Sequence, residues 1–179
     1  MIHEQEQYPL GKFEVKENYS NNELQQMLLD LETFPLRLEH ELQGLLEFQL
    51  NTPYREGGWT INQVVHHCAD SHMNALLRIK LALTEDNPTI SPYKEDLWAE
   101  LPDYNLPFNN SVTMLFCIHK KLMLVIRNLN QVQLMRTYWH PQYEKSFRVI
   151  DVIALYAWHG NHHLEHVKLG IEKSKLNNK

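Results

Sequence analysis

Four histidines fall within eight residues near the C-terminus: His159, His162, His163 and His166, in the stretch Leu155–Val167. On a helix, residues four apart lie one above the other on one face. His159 with His163, and His162 with His166, are therefore each a pair of imidazoles able to grip one metal ion, since neutral imidazole is the commonest metal ligand. One more ligand from another helix completes three. The chain offers it early, where His66, His67, Cys68, Asp70 and His72 follow Thr60. The two clusters hold seven of the eleven histidines. Burying several basic groups together is costly unless something binds them. Other catalytic patterns do not fit. Gly160 follows His159, so there is no His-Glu-x-x-His arrangement, and no Gly-rich phosphate loop, Cys-x-x-Cys pair or nucleophile elbow is present.

These residues need helices to hold them, and the sequence predicts four. Ser20 and Glu23 form a capping box ahead of Leu24, Met27, Leu28, Leu31, Phe34, Leu38, Leu42 and Leu45, which recur at helical spacing over 21–46. Pro35 inside that run removes a backbone donor and is expected to kink or break the helix. Thr60 and Gln63 cap a second helix over about 60–85, with Ile61, Val64, Val65, Cys68, Leu76, Ile79 and Leu83 on its apolar face. Residues 86–108 carry Pro88, Pro92, Pro102 and Pro107. That is longer than the ~2–8 residues of a helical hairpin, so it reads as a crossover that lets the joined helices lie parallel. A short helix within 94–101 fits there. The third helix, about 109–129, carries Val112, Leu115, Phe116, His119, Leu122, Met123 and Ile126. Residues 136–147 read as a small hairpin. The fourth helix, about 149–173, buries Ile150, Ile153, Ala157, Gly160, Leu164, Val167 and Ile171. Residues 1–19 read as an extended arm, and 173–179 as a frayed tail. The expected fold is all-α, a single-domain four-helix bundle over 1–179 with one long crossover between helices 2 and 3.

Projection at about 100° per residue narrows the histidines. His163 flanks the core stripe of the fourth helix and His159 lies on the same side, whereas His162 and His166 point away and read as solvated. His66 and His67 fall on opposite sides of their apolar face, and periodicity does not choose between them. His72 and His119 read as buried histidines hydrogen-bonded in place. Cys68 and Cys117 sit in apolar helical patterns and read as buried thiols, without a disulfide framework. Trp59, Trp98, Tyr138, Trp139 and Trp158 read chiefly as core, with a pocket wall as the alternative.

The net charge of −5 gives no reason to expect nucleic-acid binding. No window approaches the ~18–20 apolar residues of a membrane span, and no signal peptide is evident at the N-terminus. A cytoplasmic protein is expected.

Further stretches carry a family resemblance: Tyr8–Glu14 (YPLGKFE), Thr52–Thr60 (TPYREGGWT), Gln63–Asn74 (QVVHHCADSHMN), Lys80–Thr89 (KLALTEDNPT) and Leu155–Val167. With them the sequence resembles the DinB-like superfamily of metal-binding four-helix bundles, and within it the YfiT group, described as metal-dependent hydrolases. The resemblance runs over nearly the whole chain. It implies three histidine ligands: His67, three residues before Asp70, and the His159/His163 pair. It implies one zinc or nickel ion per chain, a homodimer and the same crossover. Cys68 departs from the aliphatic residue usual beside the first ligand. Three neutral histidines leave the ion its full charge and open positions, which suits a catalytic site. The expected function is hydrolysis of a small-molecule substrate by activated water. The alternatives are transfer of a low-molecular-weight thiol such as bacillithiol, and a non-catalytic metal-binding dimer. Asp70, one turn from His67, is the candidate to orient a histidine or a water, against a plain reading as a solvated helix carboxylate.

Overall fold

The computed structural model describes residues 2–176. In chain order the elements are α1 (Ile2–Gln7), α2 (Asn21–Leu42), α3 (Glu47–Leu50), α4 (Ile61–Thr84), α5 (Glu95–Trp98), a 3-10 turn (Pro102–Asn105), α6 (Asn109–Ile126), α7 (Gln131–Leu134), the strands β1 (Thr137–His140) and β2 (Lys145–Arg148), and α8 (Val149–Leu176). The four long helices α2, α4, α6 and α8 form the bundle. Each capping box is made as its sequence predicts. The Glu23 backbone N–H donates to Ser20 Oγ at 3.3 Å, and Glu23 Oε2 accepts from the Ser20 N–H at 2.7 Å. Thr60 and Gln63 repeat the exchange at the start of α4.

Neighbouring contacts set the helix directions. His66 meets Ser111, and His72 meets His119, so α4 and α6 run parallel. His67 meets His159 and His72 lies beside Tyr156, so α4 and α8 run antiparallel. The crossover over 85–108 is what allows the parallel pair. It is tied down by β1: the Ile90 N–H donates to the Trp139 carbonyl, and the Trp139 N–H donates to that of Pro88. Arg136 closes the end of α4 by donating to the carbonyls of Ala82 and Glu85, a favourable place for a cation. β1 and β2 pair antiparallel, the hairpin expected over 136–147.

The core has two adjoining parts. One gathers Leu31, Ile79, Leu122, Tyr138 and Ile153; the other gathers Phe34, Leu38, Ile61, Leu115 and Val167. Gly160 sits between α8 and α2, where a Cβ would lie 3.0 Å from the Phe34 ring.

Four expectations need correction. The N-terminal arm is not wholly extended, because Ile2–Gln7 is helical. Arg148 pins the arm that follows by donating to the carbonyls of Lys16 and Glu17 while it pairs with Asp151 at 2.7 Å. α2 runs through Pro35 as one helix, whose buried ring faces the bundle. Cys117 and Phe116 are exposed, since they lie on the outer side of α6. Lys173–Leu176 continue α8, and 177–179 lie outside the described residues.

Candidate metal centre

His67 from α4 and His159 and His163 from α8 converge, each offering a ring nitrogen, with those atoms all within 4.8 Å of one another. His67 Nε2 lies 3.2 Å from His159 Nε2. Two nitrogens at ~2.0–2.1 Å from one tetrahedral zinc would be about 3.4 Å apart, so the pair is spaced as ligands of one ion are. Burial holds all three imidazoles neutral. It pushes His67 down to about 3, with His162 adding to the effect, and drives His159 and His163 well below the ordinary histidine value.

The hydrogen bonds behind the cluster decide which nitrogen of each ring is bare. A main-chain carbonyl only accepts. His119 Nδ1 lies 2.6 Å from the Leu31 carbonyl and must therefore carry the proton, leaving Nε2 as an acceptor. His72 Nδ1 is 2.9 Å from that Nε2 and donates to it. His72 Nε2 is then bare, and His159 Nδ1 donates to it at 3.3 Å. This leaves His159 Nε2, the atom facing His67, with a free lone pair. A shorter chain acts on His163. His166 Nε2 donates to the Gln7 carbonyl at 3.3 Å, so its Nδ1 accepts from His163 Nδ1 at 3.2 Å and His163 Nε2 is bare. His67 Nδ1 is buried with no hydrogen-bond partner. Lone pairs aimed at one shared space repel one another, and a cation between them removes that cost. The donor set fits a divalent ion.

The Leu31 carbonyl is available for a physical reason. In an α-helix it would accept from the N–H four residues on. That residue is Pro35, which has none.

The histidine left open by periodicity is placed by the fold. His66 spends both nitrogens away from the cluster, on Ser111 Oγ at 2.7 Å and the Leu106 carbonyl at 3.0 Å. Asp70 also turns away: its carboxylate accepts from the Tyr104 hydroxyl at 2.8 Å, on the side of α4 that carries His66. His162 and His166 are buried, not solvated. Trp158 stacks on His162 at 4.4 Å and Tyr54 on His166 at 3.9 Å, and the N-terminal segment covers both. His72 and His119 are buried and hydrogen-bonded as expected.

The three histidines border a cavity of about 1100 Å³. Trp59, Tyr138 and Trp158 line it, whereas Trp98 packs on Tyr93 and Trp139 pairs with the crossover. Ser71, Tyr156 and Arg78 also face this cavity, and none stood out in the sequence. Ser71 and Arg78 follow His67 at four and eleven residues along one face of α4, which is the signal that would have found them. No helix among the described residues is long and apolar enough to cross a membrane.

A model of the DinB superfamily matches residues 30–167. A protein of Oceanobacillus iheyensis named "Putative metal-dependent hydrolase" is 44% identical over 162 residues, covering 90% of this chain and 94% of its own. A Bacillus cereus protein of the same description is 45% identical over 160 residues, covering 89% and 92%. YfiT from Bacillus subtilis, whose structure is described as "a probable metal-dependent hydrolase with an unusual four-helix bundle topology", superimposes with a TM-score of 0.91 at 36% identity. The match covers 94% of this chain and 97% of that one.

Proposed function

The chain belongs to the DinB superfamily, and on that premise we propose that it is a metal-dependent hydrolase whose His67, His159 and His163 hold one divalent ion, zinc or nickel. The observation that carries this is the convergence of three neutral, buried imidazoles from two helices, two of them with their bare nitrogens fixed by main-chain carbonyls. A divalent ion held by these three residues would supply a full +2 charge, which lowers the pKa of water and polarises an electrophilic centre.

The protein's own groups do the rest. The His119–His72 chain holds the His159 ring, and His166 holds the His163 ring, so each presents Nε2 to the cavity. Trp59 packs on His67 at 4.6 Å and shields it from bulk water. Ser71 Oγ sits 3.4 Å from His159 Nε2 and 3.4 Å from the Tyr156 hydroxyl, close enough to orient a small molecule at the cluster. A purely structural ion fits less well, because the donors open onto a large cavity.

A second reading, transfer of a low-molecular-weight thiol to an electrophile, is favoured by one observation. The hydrogen-bond chains behind His159 and His163 end on carbonyls, and Asp70, one turn from His67, is engaged by Tyr104. A thiol on a divalent ion deprotonates without a general base. The two readings are separated by assaying zinc- and nickel-loaded protein on ester and amide panels, and on a thiol with a soft electrophile. Metal-dependent turnover of the first kind, abolished in His159→Ala, is expected for the hydrolase. Turnover of only the second kind would replace it with the transferase, and turnover of neither would overturn both.

A further inference from the structure

Arg78 lies on the same face of α4 as His67 and opens into the same cavity, yet it is only 9% exposed. Its Nε is buried with no hydrogen-bond partner, and no carboxylate among the described residues is within ion-pair distance of it. A buried guanidinium without a counter-charge is costly unless an anion arrives to pair with it. Its surroundings are donors. His140 Nδ1 is likewise buried without a partner, the buried Tyr93 hydroxyl has only Ser71 within reach, and both residues line the cavity. Arg78 shares a hydrogen bond with the Tyr138 hydroxyl, and its field also reaches Tyr93, Tyr156 and His140. Burial raises the three phenols, which stay protonated, and lowers His140, an effect Arg78 reinforces. Glu95, on the cavity rim, is a poor internal partner. Burial and Asp96 raise its carboxyl more than Arg78 lowers it.

We propose that Arg78, with Tyr93 and His140, forms an anion subsite that receives a carboxylate of the substrate while the reacting group sits at the three-histidine cluster. This rests on the metal-dependent reading above. One guanidinium ringed by neutral donors, with Glu95 close by, matches a singly charged carboxylate better than a doubly charged phosphate. Arg78 is eleven residues beyond His67, roughly 16 Å along the helix, and side chains lean toward the helix N-terminus, back toward the cluster. The substrate is therefore an elongated molecule with its carboxylate several bonds from the reacting atom.

The test uses cobalt(II)-loaded protein, whose thiolate charge-transfer absorption reports coordination directly. The probes are ω-mercapto carboxylic acids with two to six methylenes, each beside its neutral methyl ester. In the wild type, at the best chain length, the acid is expected to bind at least about tenfold more tightly than its ester. Arg78→Met is expected to erase that ratio while ester binding persists, and Arg78→Lys to keep part of it. Ester binding with its absorption band also certifies that each variant is folded and loaded. Equal affinity of acid and ester in the wild type would overturn the proposal. So would a ratio that survives in Arg78→Met, because the carboxylate would then be chelating the ion. Absence of the band with every probe in the wild type would instead overturn the metal reading, and this one with it.

Discussion

His119 donates to the main-chain carbonyl of Leu31 at 2.6 Å, and that carbonyl is the one Pro35 leaves without a helical donor. A residue that ordinarily costs a helix about 3 kcal/mol thereby supplies the acceptor that orients three histidines in series. Pro35→Ala restores an N–H that competes for the Leu31 carbonyl. Thermal stability is expected to hold or rise, while metal affinity falls several-fold. Chelator competition measures the affinity, and long-range nitrogen–proton NMR of the imidazoles reads the His119 tautomer. An unchanged affinity and tautomer would show that the relay needs no such anchor.

The shorter relay makes its own prediction. His166→Phe keeps a ring against Tyr54 but removes the acceptor for His163 Nδ1. Loss of a partner that orients a ligand typically costs about 10–100-fold in metal affinity, and that is the expected fall. His66→Phe, which touches Ser111 and Leu106 instead, is expected to alter stability and leave metal affinity unchanged.

Gly160→Ala places a methyl group 3.0 Å from the Phe34 ring, and Phe34 stacks on His72 at 5.1 Å. Overpacking of this kind costs about 1–3 kcal/mol, read as a lower midpoint in denaturant unfolding. The displaced ring is also expected to disturb His72, so metal affinity falls in the same variant.

The helices were legible because their signals are local. Ser20/Glu23 and Thr60/Gln63 mark two helix starts in a few residues, and apolar spacing marks the faces. The crossover was legible from length and prolines alone. What escaped depends on coverage by distant chain. His162 and His166 look solvated on a helical projection, and they are buried because residues near Gln7 and Tyr8 fold over them. Asp70 reads in the sequence as a candidate to orient a histidine or a water, but the 3-10 turn thirty-four residues away supplies Tyr104 and claims it. Arg78 is easily passed over, since a lone arginine on a helix is ordinarily a solvated surface charge, and only its register with His67 hints at an inward place.

Acidification is expected to destabilise the metal-free protein. Burial lowers His119 to about 4, whereas an unfolded histidine titrates near 6.5. Between those values the unfolded chain binds the proton and the folded one does not. The share of stability due to His119 is therefore complete above about pH 6.5 and is lost as pH falls toward about 4, and His67 and His166, held at about 3, carry the decline further. Thermal melts from pH 8 to pH 4 measure this. His119→Gln is expected to flatten the profile by about one proton.

The central claim is that His67, His159 and His163 hold a divalent ion, and elemental mass spectrometry on untagged protein tests it most directly. About one zinc or nickel per chain is expected in the wild type and in His162→Ala, and little in His67→Ala, His159→Ala or His163→Ala. A folded wild-type protein that carries no metal and takes up neither zinc nor nickel would contradict the account. So would loss of metal from His162→Ala with retention in His163→Ala.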